Sequence, residues 1–368
     1  MRHFISVLAA AAAVFASAVS CAVHEWPVDA PADVELRLDF NTDMPQFMVL
    51  NTGGTRASHD GADYCIRYVV EAYRFLPDGS VSDTPHGRWT FTKGDLADLN
   101  STFRFSIDEG EYRFHVWTDF VVRGTSDDFF YGTDKFRRVT LLGTHEGNND
   151  YRDAFVGSAD LTVRRLGSHQ TPSSVTVPME RPLAKFEFVT TDLQEFITKT
   201  VDAMLRKEAE SRTDDAAEGT GADGTKGGDS DEDTKGDGST KSPVVDLNKF
   251  RVVFYYSGYM PCAFNVMENK PCDSATGVRF SSTITAIDSH EARLGFDYVF
   301  VNGRESSVMV TVGLFDEDGV QLSMSNPIEV PIKRSMLTVV KGSFLMQNTG
   351  GGVAIDPGFD GEYNIVLR

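Results

Sequence analysis

The amino-acid sequence predicts a mainly all-β protein built from two antiparallel β-sandwich domains. Apolar and polar residues alternate over positions 34–40, which is the pattern of a strand with one buried face. Two hairpin turns, Asp108-Glu109-Gly110-Glu111 and Asp316-Glu317-Asp318-Gly319, separate pairs of strand-like runs. Many short strands with regular turn signals are typical of antiparallel sandwiches and not of a parallel α/β sheet.

The other predicted strands follow in order along the chain. In the first domain they lie at 64–75, 103–107, 112–118 and 138–142. In the second domain they lie at 185–189, 251–256, 278–286, 293–300, 308–315, 320–330, 337–345 and 363–367. The stretch from 166 to 181 is rich in Gly, Ser and Pro and is typical of a linker. We therefore expect sandwich domains at 34–170 and 180–368.

The second domain is expected to contain one amphipathic helix and one disordered insertion. The helix begins near Thr191 or Asp192, either of which can cap its first turn. Its apolar stripe should cover one face of a sheet and consists of Leu193, Phe196, Ile197, Val201, Met204 and Leu205. The following segment, 208–242, is acidic, lacks aromatic residues and is too polar to bury a core, so we expect it to be disordered.

The amino terminus predicts a lipoprotein. Arg2 precedes an apolar run over residues 4–19, and small residues then lead directly into Cys21. This order indicates a signal peptide at 1–20 and a cysteine that carries a diacylglycerol and a further acyl chain such as palmitate. Residues 21–33 would then tether the body to a membrane. The alternative is an ordinary signal peptide followed by a chance cysteine.

The charge of the chain restricts its partners. The formal net charge is -19 at pH 7, and nucleic acids and anionic lipids both require a basic surface. We therefore expect no nucleic-acid partner, and attachment to the membrane through the acyl chains on Cys21 alone.

Three further cysteines are present, and two of them could form a disulfide. Cys262 and Cys272 are ten positions apart and would close a surface loop in an oxidising compartment. Two free thiols are the alternative. Cys65 lies in a strand-like run and is expected to be a buried apolar residue.

The sequence offers no combination of residues typical of an enzyme. The eight histidines form no H-x-H or H-E-x-x-H motif, and there is no G-x-S-x-G turn. Asp119, Asp127, Asp128 and Asp134 could bind a cation, although an exposed polar loop is the favoured interpretation. We expect no catalytic residues, no metal and no cofactor other than the lipid.

Several motifs resemble those of a known family. His24-Glu25-Trp26-Pro27 follows the lipid cysteine, a Gly-x-Tyr hairpin leads to Trp117 and Asp119, and Arg152-Asp153-Ala154-Phe155 follows later. Together with 67–73 and 255–261, these segments resemble the fimbrillin-associated anchor lipoproteins of Bacteroidota, the group that includes the anchor subunit of short fimbriae. The acidic insertion is longer than is usual for that family.

This resemblance implies two transthyretin-like sandwiches in a fimbrial anchor or accessory subunit of the outer membrane. The cell-surface side of that membrane is favoured, and the periplasmic side is the alternative. The partner of this subunit would be a fimbrillin, bound by β-strand addition, and the motif residues would be structural. Which sheet edge accepts the strand is left open. The alternative is a surface lipoprotein that binds glycans or host ligands. Exposed aromatic residues would favour it, and the candidates are Trp89, Trp117 and Phe129-Phe130-Tyr131.

Overall fold

Strands make up most of the molecule. The computed structural model describes residues 31–40, 63–165, 172–218, 244–347, 353–359 and 362–367. These form several β-sheets and one α-helix, so the predicted mainly all-β sandwich fold is confirmed.

The first domain contains nine of the described strands. They are β1 (Ala32–Phe40), β2 (Tyr64–Arg74), β3 (Gly87–Lys93), β4 (Ser101–Ile107), β5 (Gly110–Val122), β6 (Tyr131–Gly132), β7 (Val139–Leu141), β8 (Phe155–Val163) and β9 (Ser173–Glu180). A 3₁₀ turn over Asp150–Arg152 lies between β7 and β8.

Seven of these strands form a single sheet that folds over on itself. Their order is β3-β2-β5-β8-β9-β1-β4. β8 and β9 pair only at Val156 with Glu180 and at Gly157 with Met179, so the sheet bends at this join. The halves β3-β2-β5-β8 and β9-β1-β4 then face each other, and their apolar residues share one core. The outer strands β3 and β4 meet at the open end of this sandwich.

The strands β2 and β5 are buried on both faces. One face contributes Tyr68 and Phe114 to the sandwich core. The chain between β5 and β8, residues 123–154, is called the excursion here. The other face of β2 and β5 carries Arg67 and Trp117, which contact residues of this excursion. The excursion therefore forms a third layer, and this double burial explains why 64–74 lacks the alternation of a surface strand.

The second domain contains the remaining strands and the helix. The strands are β10 (Leu183–Thr190), β11 (Arg251–Tyr256), β12 (Met260–Asn265), β13 (Lys270–Ala275), β14 (Arg279–Thr283), β15 (Thr285–Ala286), β16 (Ala292–Phe300), β17 (Glu305–Phe315), β18 (Gln321–Met324), β19 (Ile328–Lys333), β20 (Leu337–Gly342), β21 (Val353–Phe359) and β22 (Glu362–Leu367). A 3₁₀ turn spans Leu247–Lys249, and helix α1 spans Leu193–Glu218.

Two sheets enclose the second core. One has the order β15-β16-β10-β20-β22-β21, and the other has the order β14-β11-β17-β18 with β19 also paired to β17. Their inward residues form one cluster that includes Phe188, Phe254 and Val310. Three strand pairs are parallel and so depart from the predicted antiparallel arrangement. They are β1 with β9, β10 with β20, and β20 with β22.

The two domains are joined by a shared sheet and a shared core. β6 and β7 from the first domain pair with β12 and β13 from the second in a four-stranded sheet. Phe264 and Phe300 of the second domain belong to the core cluster of the first, where both rings approach Trp117. The domains are therefore packed as one body.

Helix α1 differs from the prediction in its packing and length. Leu193 and Phe196 are buried, but Leu205 is 47% exposed, so only the first turns cover the sheet. The helix continues to Glu218, ten residues beyond position 208 where the disordered insertion was expected to begin. The rest of that insertion, 219–242, lies outside the described residues.

The linker prediction was also wrong in part. β9 occupies 173–180 and pairs with β1 and β8, so this segment is a strand of the first sheet and not a connection. The strand begins with two serines and contains Pro178, and this composition resembles that of a linker. The change from the first sheet to the second falls between Glu180 and Leu183.

Candidate functional site

The Trp-x-Asp motif forms a buried polar cluster in the first domain. The Arg67 guanidinium donates to both carboxylate oxygens of Asp119 at 2.9 and 2.6 Å, and Trp117 Nε1 donates to the same carboxylate at 3.0 Å. Arg67 also donates to Asp128 Oδ1 at 2.6 Å. Burial opposes ionisation of Asp128, but hydrogen bonds from Thr133 and Arg67 lower its pKa below the ordinary value.

This cluster holds the third layer in place. Asp119 is fully buried and lies in β5, while Asp128 lies in the excursion, and Arg67 connects them. Two of the four acidic residues considered for a cation, Asp119 and Asp128, thus share one arginine, and Asp127 and Asp134 are exposed. Within the described ranges, no three His, Cys, Asp or Glu side chains are grouped so that they could hold a metal ion.

The Arg-Asp-Ala-Phe motif lies at the junction of the domains. Asp153 is fully buried and accepts from Arg181 Nε at 2.8 and 2.9 Å, and the Arg181 guanidinium lies 4.9 Å from the Phe155 ring centroid. Asp150 in the preceding turn accepts from Lys185 Nζ at 2.7 Å. Arg181 and Lys185 stand at the start of the second domain, so the motif fixes the position where the chain enters it.

The loop before this motif covers an edge of the second domain. Asn148 has a φ of 58° and makes two hydrogen bonds to Phe296. Its side-chain oxygen accepts from the Phe296 backbone N–H at 2.8 Å, and its own backbone N–H donates to the Phe296 carbonyl at 2.8 Å. His145 Nε2 lies 2.5 Å from Asp297 Oδ2, to which Tyr256 also donates. The Asn148 contacts satisfy backbone groups of β16 that would otherwise be open to another strand, and the Asp297 contacts hold the loop against β16.

The predicted site residues thus fall into two groups. Trp117, Asp119, Asp153 and Phe155 are buried within the described chain, and the structural role that the resemblance implies for them stays a prediction. Cys21, His24 and Trp26 lie outside the described residues, so the lipidation site stays a prediction.

Cys262 and Cys272 are both free thiols in the structure, so the disulfide considered from their spacing is not formed. Two irregularities interrupt the pairing of β12 with β13, and neither cysteine has a direct partner in the register. Ala263, the neighbour of Cys262, is paired with Asp273, the neighbour of Cys272.

The aromatic residues considered for glycan binding do not form an exposed row. Trp117 and Tyr131 are buried, Phe130 is 9% exposed and Phe129 is 39% exposed. Phe129 packs edge-on against Phe130. Trp89 lies apart from these residues, on β3 at the open end of the first sandwich.

The candidate site is the open end of the first sandwich, where β3 and β4 meet. Trp89 of β3 stacks on Phe105 of β4 with ring centroids 4.2 Å apart, and Phe91 stacks on Phe103 at 4.3 Å. All four rings are half-buried. We call the outer edges of β3 and β4, together with these four rings, the aromatic seam.

Each strand of the aromatic seam has one unused edge within the described chain. β3 pairs only with β2, and β4 pairs only with β1. Both strands have seven residues, which makes them the longest edge strands whose side chains the structure describes. Unpaired backbone groups beside half-exposed apolar rings are the features that an added strand can use.

Residues around the aromatic seam keep it open and soluble. Gly87 leaves space for the Trp89 ring, since a Cβ at this position would lie 2.3 Å from a ring carbon. On the outward face of β4, Arg104 donates to Glu35 at 2.9 and 2.7 Å. Hydrogen bonds from Arg37 and Arg104 lower the pKa of Glu35, so this face stays charged.

Sequence reasoning found only half of the aromatic seam. β4 was predicted, but β3 was missed although Gly87-Arg88-Trp89-Thr90-Phe91-Thr92-Lys93 alternates as an edge strand should. That alternation was the available signal. The stacking between the two strands depends on the folding of the whole sheet and has no local signal.

A family model matches residues 29–368 and describes a family of unknown function, DUF6562. The chain belongs to this family. No curated protein matches it. The narrower membership among fimbrial anchor lipoproteins stays a prediction.

Several solved structures are similar to the DUF6562 chain at low identity. The fimbrial anchor protein Mfa2 from Porphyromonas gingivalis is 8% identical, with 80% of this chain and 82% of that chain covered and a TM-score of 0.36. A candidate cell adhesion protein from Bacteroides eggerthii is 12% identical, with coverage of 92% and 95% and a TM-score of 0.38. A candidate adhesin from Bacteroides ovatus is 12% identical, with coverage of 80% and 77% and a TM-score of 0.38. TM-scores below 0.5 do not establish a common fold, so the function is argued from the chain itself.

None of the helices in the described ranges is long and apolar enough to cross a membrane.

Proposed function

We propose that this protein is a lipid-anchored accessory subunit of a fimbria, which binds a fimbrillin by β-strand addition at the aromatic seam. The observation that carries the proposal is the pair of unused edges on β3 and β4 with half-buried rings between them. The motifs around Cys21, Trp117 and Asp153 supply the reason to expect a fimbrial partner.

Strand addition at this place follows from the geometry of the edges. An incoming strand pairs with β3 or β4 and extends one half of the folded sheet. Its alternate side chains then face inward and contact Trp89 and Phe91, or Phe103 and Phe105. The partner segment should therefore be extended, with apolar residues at every second position.

The energy available is sufficient for specific binding. A strand that matches all seven residues of β3 adds roughly one backbone hydrogen bond per residue. Each such bond contributes about 0.5–1.5 kcal/mol net. Burial of the exposed parts of the four rings adds about 25 cal/mol for every Å² of apolar surface removed from water.

The other parts of the molecule suit an anchor. Acylation of Cys21 would hold the chain at the outer membrane on the surface side, because each buried methylene contributes about 0.8 kcal/mol. The shared sheet of β6, β7, β12 and β13 joins the two domains, so a pull on a bound fimbrillin is spread over both cores.

The test is site-specific crosslinking in the bacterium that carries this protein. A benzoylphenylalanine replaces Thr90, which is exposed on β3, and in a second strain it replaces Arg37. Arg37 is the matched control, because it is exposed on β1 and is paired on both sides, with Thr102 of β4 and Thr176 of β9. We expect a fimbrillin to be captured from position 90 and not from position 37.

A second pair of variants separates binding from folding. Phe91→Glu places a charge inside the aromatic seam and should abolish capture from position 90, whereas Thr92→Glu, on the outward side of the same strand, should not. Circular dichroism and membrane fractionation check that each variant is folded and anchored. Capture of no fimbrillin from position 90, or equal capture from both positions, overturns the proposal.

A further inference from the structure

The outward face of the second domain carries a surface that the fimbrial proposal does not use. Val252, Phe254 and Tyr256 of β11 point into the core, so Arg251, Val253 and Tyr255 point outward. The same alternation turns Thr311 and Phe315 of β17 and Arg279 of β14 outward. We call these six outward residues the tyrosine face.

The register brings these outward residues together in rows across the strands. Arg279 lies directly opposite Tyr255, and Tyr255 lies directly opposite Thr311. Two rows away, beyond the row of Val253 and Gly313, Arg251 lies opposite Phe315, and its guanidinium is 5.7 Å from the Phe315 ring centroid. Residues opposite one another in a sheet have Cβ atoms about 5 Å apart, so each row forms a continuous strip.

The middle of the tyrosine face is apolar and covered, since Val253 is only 5% exposed and Gly313 is buried, while Tyr255 and Phe315 on either side are half-buried. Met324 and Phe315 lie over Gly313, where a Cβ would come within 2.9 Å of the Met324 methyl carbon. The turn after β11 adds Tyr259, which is 74% exposed and is the most exposed aromatic side chain in the described chain. A surface of this kind indicates a binding site.

Two arginines on this face lack an acidic partner in the described chain. Neither Arg251 nor Arg279 has a carboxylate within 4.0 Å, although most of the other described arginines form ion pairs. In a protein with a formal net charge of -19, two unpaired positive charges on one face favour an anionic ligand that can reach both.

Hydroxyl groups complete the surface. Ser281 and Thr283 of β14 are exposed beside the arginines, and Ser257 Oγ lies 2.6 Å from Thr311 Oγ1 next to Tyr255. The face thus combines flat aromatic rings, hydroxyl donors and acceptors, and guanidinium groups. Pyranose rings place C–H groups on aromatic faces, hydroxyls pair with hydroxyls, and guanidinium binds carboxylate or sulfate through two parallel hydrogen bonds.

We propose that the tyrosine face, with Tyr259 at its end, binds an anionic polysaccharide whose pyranose units stack on the tyrosines while their carboxylate or sulfate groups contact Arg251 and Arg279. This second binding function is independent of strand addition, because it lies on another sheet in another domain.

The test measures binding of the full chain to three polysaccharides by isothermal titration calorimetry. Polygalacturonate supplies carboxylates, heparin supplies sulfates, and dextran is neutral. We expect binding to polygalacturonate or heparin, with the better ligand identifying the anionic group, and at least tenfold weaker binding to dextran. Failure to bind either anionic polymer, or equal binding to dextran, overturns the proposal.

Variants then locate the site. Arg279→Ala should weaken binding about tenfold, the loss of one charge-assisted contact. Arg304→Ala removes an exposed arginine outside this face and should change affinity less than twofold. Tyr255→Ala with Tyr259→Ala should weaken binding at least as much, while the circular dichroism spectrum is unchanged. Equal effects of the Arg279 and Arg304 variants would contradict the assignment.

Discussion

The shared core predicts that damage in the second domain destabilises the first. Leu314 is 1% exposed in the core of the second domain. The variant Leu314→Ala leaves a cavity there and should lower the free energy of unfolding by about 2–5 kcal/mol. All three tryptophans, at positions 26, 89 and 117, precede the second domain, and Trp117 is fully buried. Tryptophan fluorescence therefore reports on the first domain and on the contacts that Trp117 makes with Phe264 and Phe300 of the second.

The assay is urea unfolding followed by tryptophan fluorescence and by far-UV circular dichroism. Because Phe264 and Phe300 pack into the first core, we expect both signals to shift together to lower urea. Leu322→Ala is the matched control, since Leu322 is 43% exposed in the same domain and its truncation should change stability by less than about 0.5 kcal/mol. An unchanged fluorescence midpoint in Leu314→Ala would refute the shared core.

Three further predictions concern single sites. The variant Asp153→Asn breaks the buried ion pair with Arg181 and should lower the free energy of unfolding in urea by about 3–5 kcal/mol. The control Arg113→Ala breaks the exposed ion pair with Asp160 and should lower it by less than about 1 kcal/mol. Equal losses would contradict the role given to Asp153. Burial lowers the pKa of His115 to about 4, so the unfolded chain binds a proton there first as the pH falls below about 6.5. Stability should therefore fall by roughly 2 kcal/mol between pH 7 and pH 5, and His115→Gln should reduce this loss; an unchanged loss in that variant would contradict the assignment. Under non-reducing conditions, thiol labelling of the folded protein should modify exposed Cys272 before buried Cys65. The intact mass should show no disulfide between Cys262 and Cys272, and a mass lower by two hydrogens would contradict the free thiols.

The sequence predicted the elements whose signals are local. β1 and the hairpin of β17 with β18 were found because alternation and a turn sequence mark them. β4 and β5 were found as strands, but the predicted hairpin between them was wrong, because β4 pairs with β1 whereas β5 pairs with β2 and β8 in the facing half of the folded sheet. β9 was mistaken for a linker because its serines and Pro178 resemble loop composition, and its strand structure depends on pairing with β1, far away in sequence. The helix was found, but its exposed continuation past Leu205 was not, because the sequence does not show which turns meet the sheet.

The candidate sites were less predictable than the fold. Trp117, Asp119 and Asp153 were identified only as motif residues, and their partners Arg67 and Arg181 are distant in the chain. The stacks of Trp89 on Phe105 and Phe91 on Phe103 arise only when the sheet folds over and brings its two outermost strands together. The tyrosine face likewise depends on the register of three strands, which no single strand specifies.

The central claim is that the aromatic seam receives a strand from a fimbrillin. The most direct measurement is hydrogen–deuterium exchange of the full chain, alone and in complex with the captured fimbrillin. We predict slower exchange at the amides of residues 87–93 or 101–107 in the complex, since half of the backbone N–H groups of an edge strand gain partners when a strand is added. Unchanged exchange over both strands, with protection at another edge such as β13 or β14, would contradict the account.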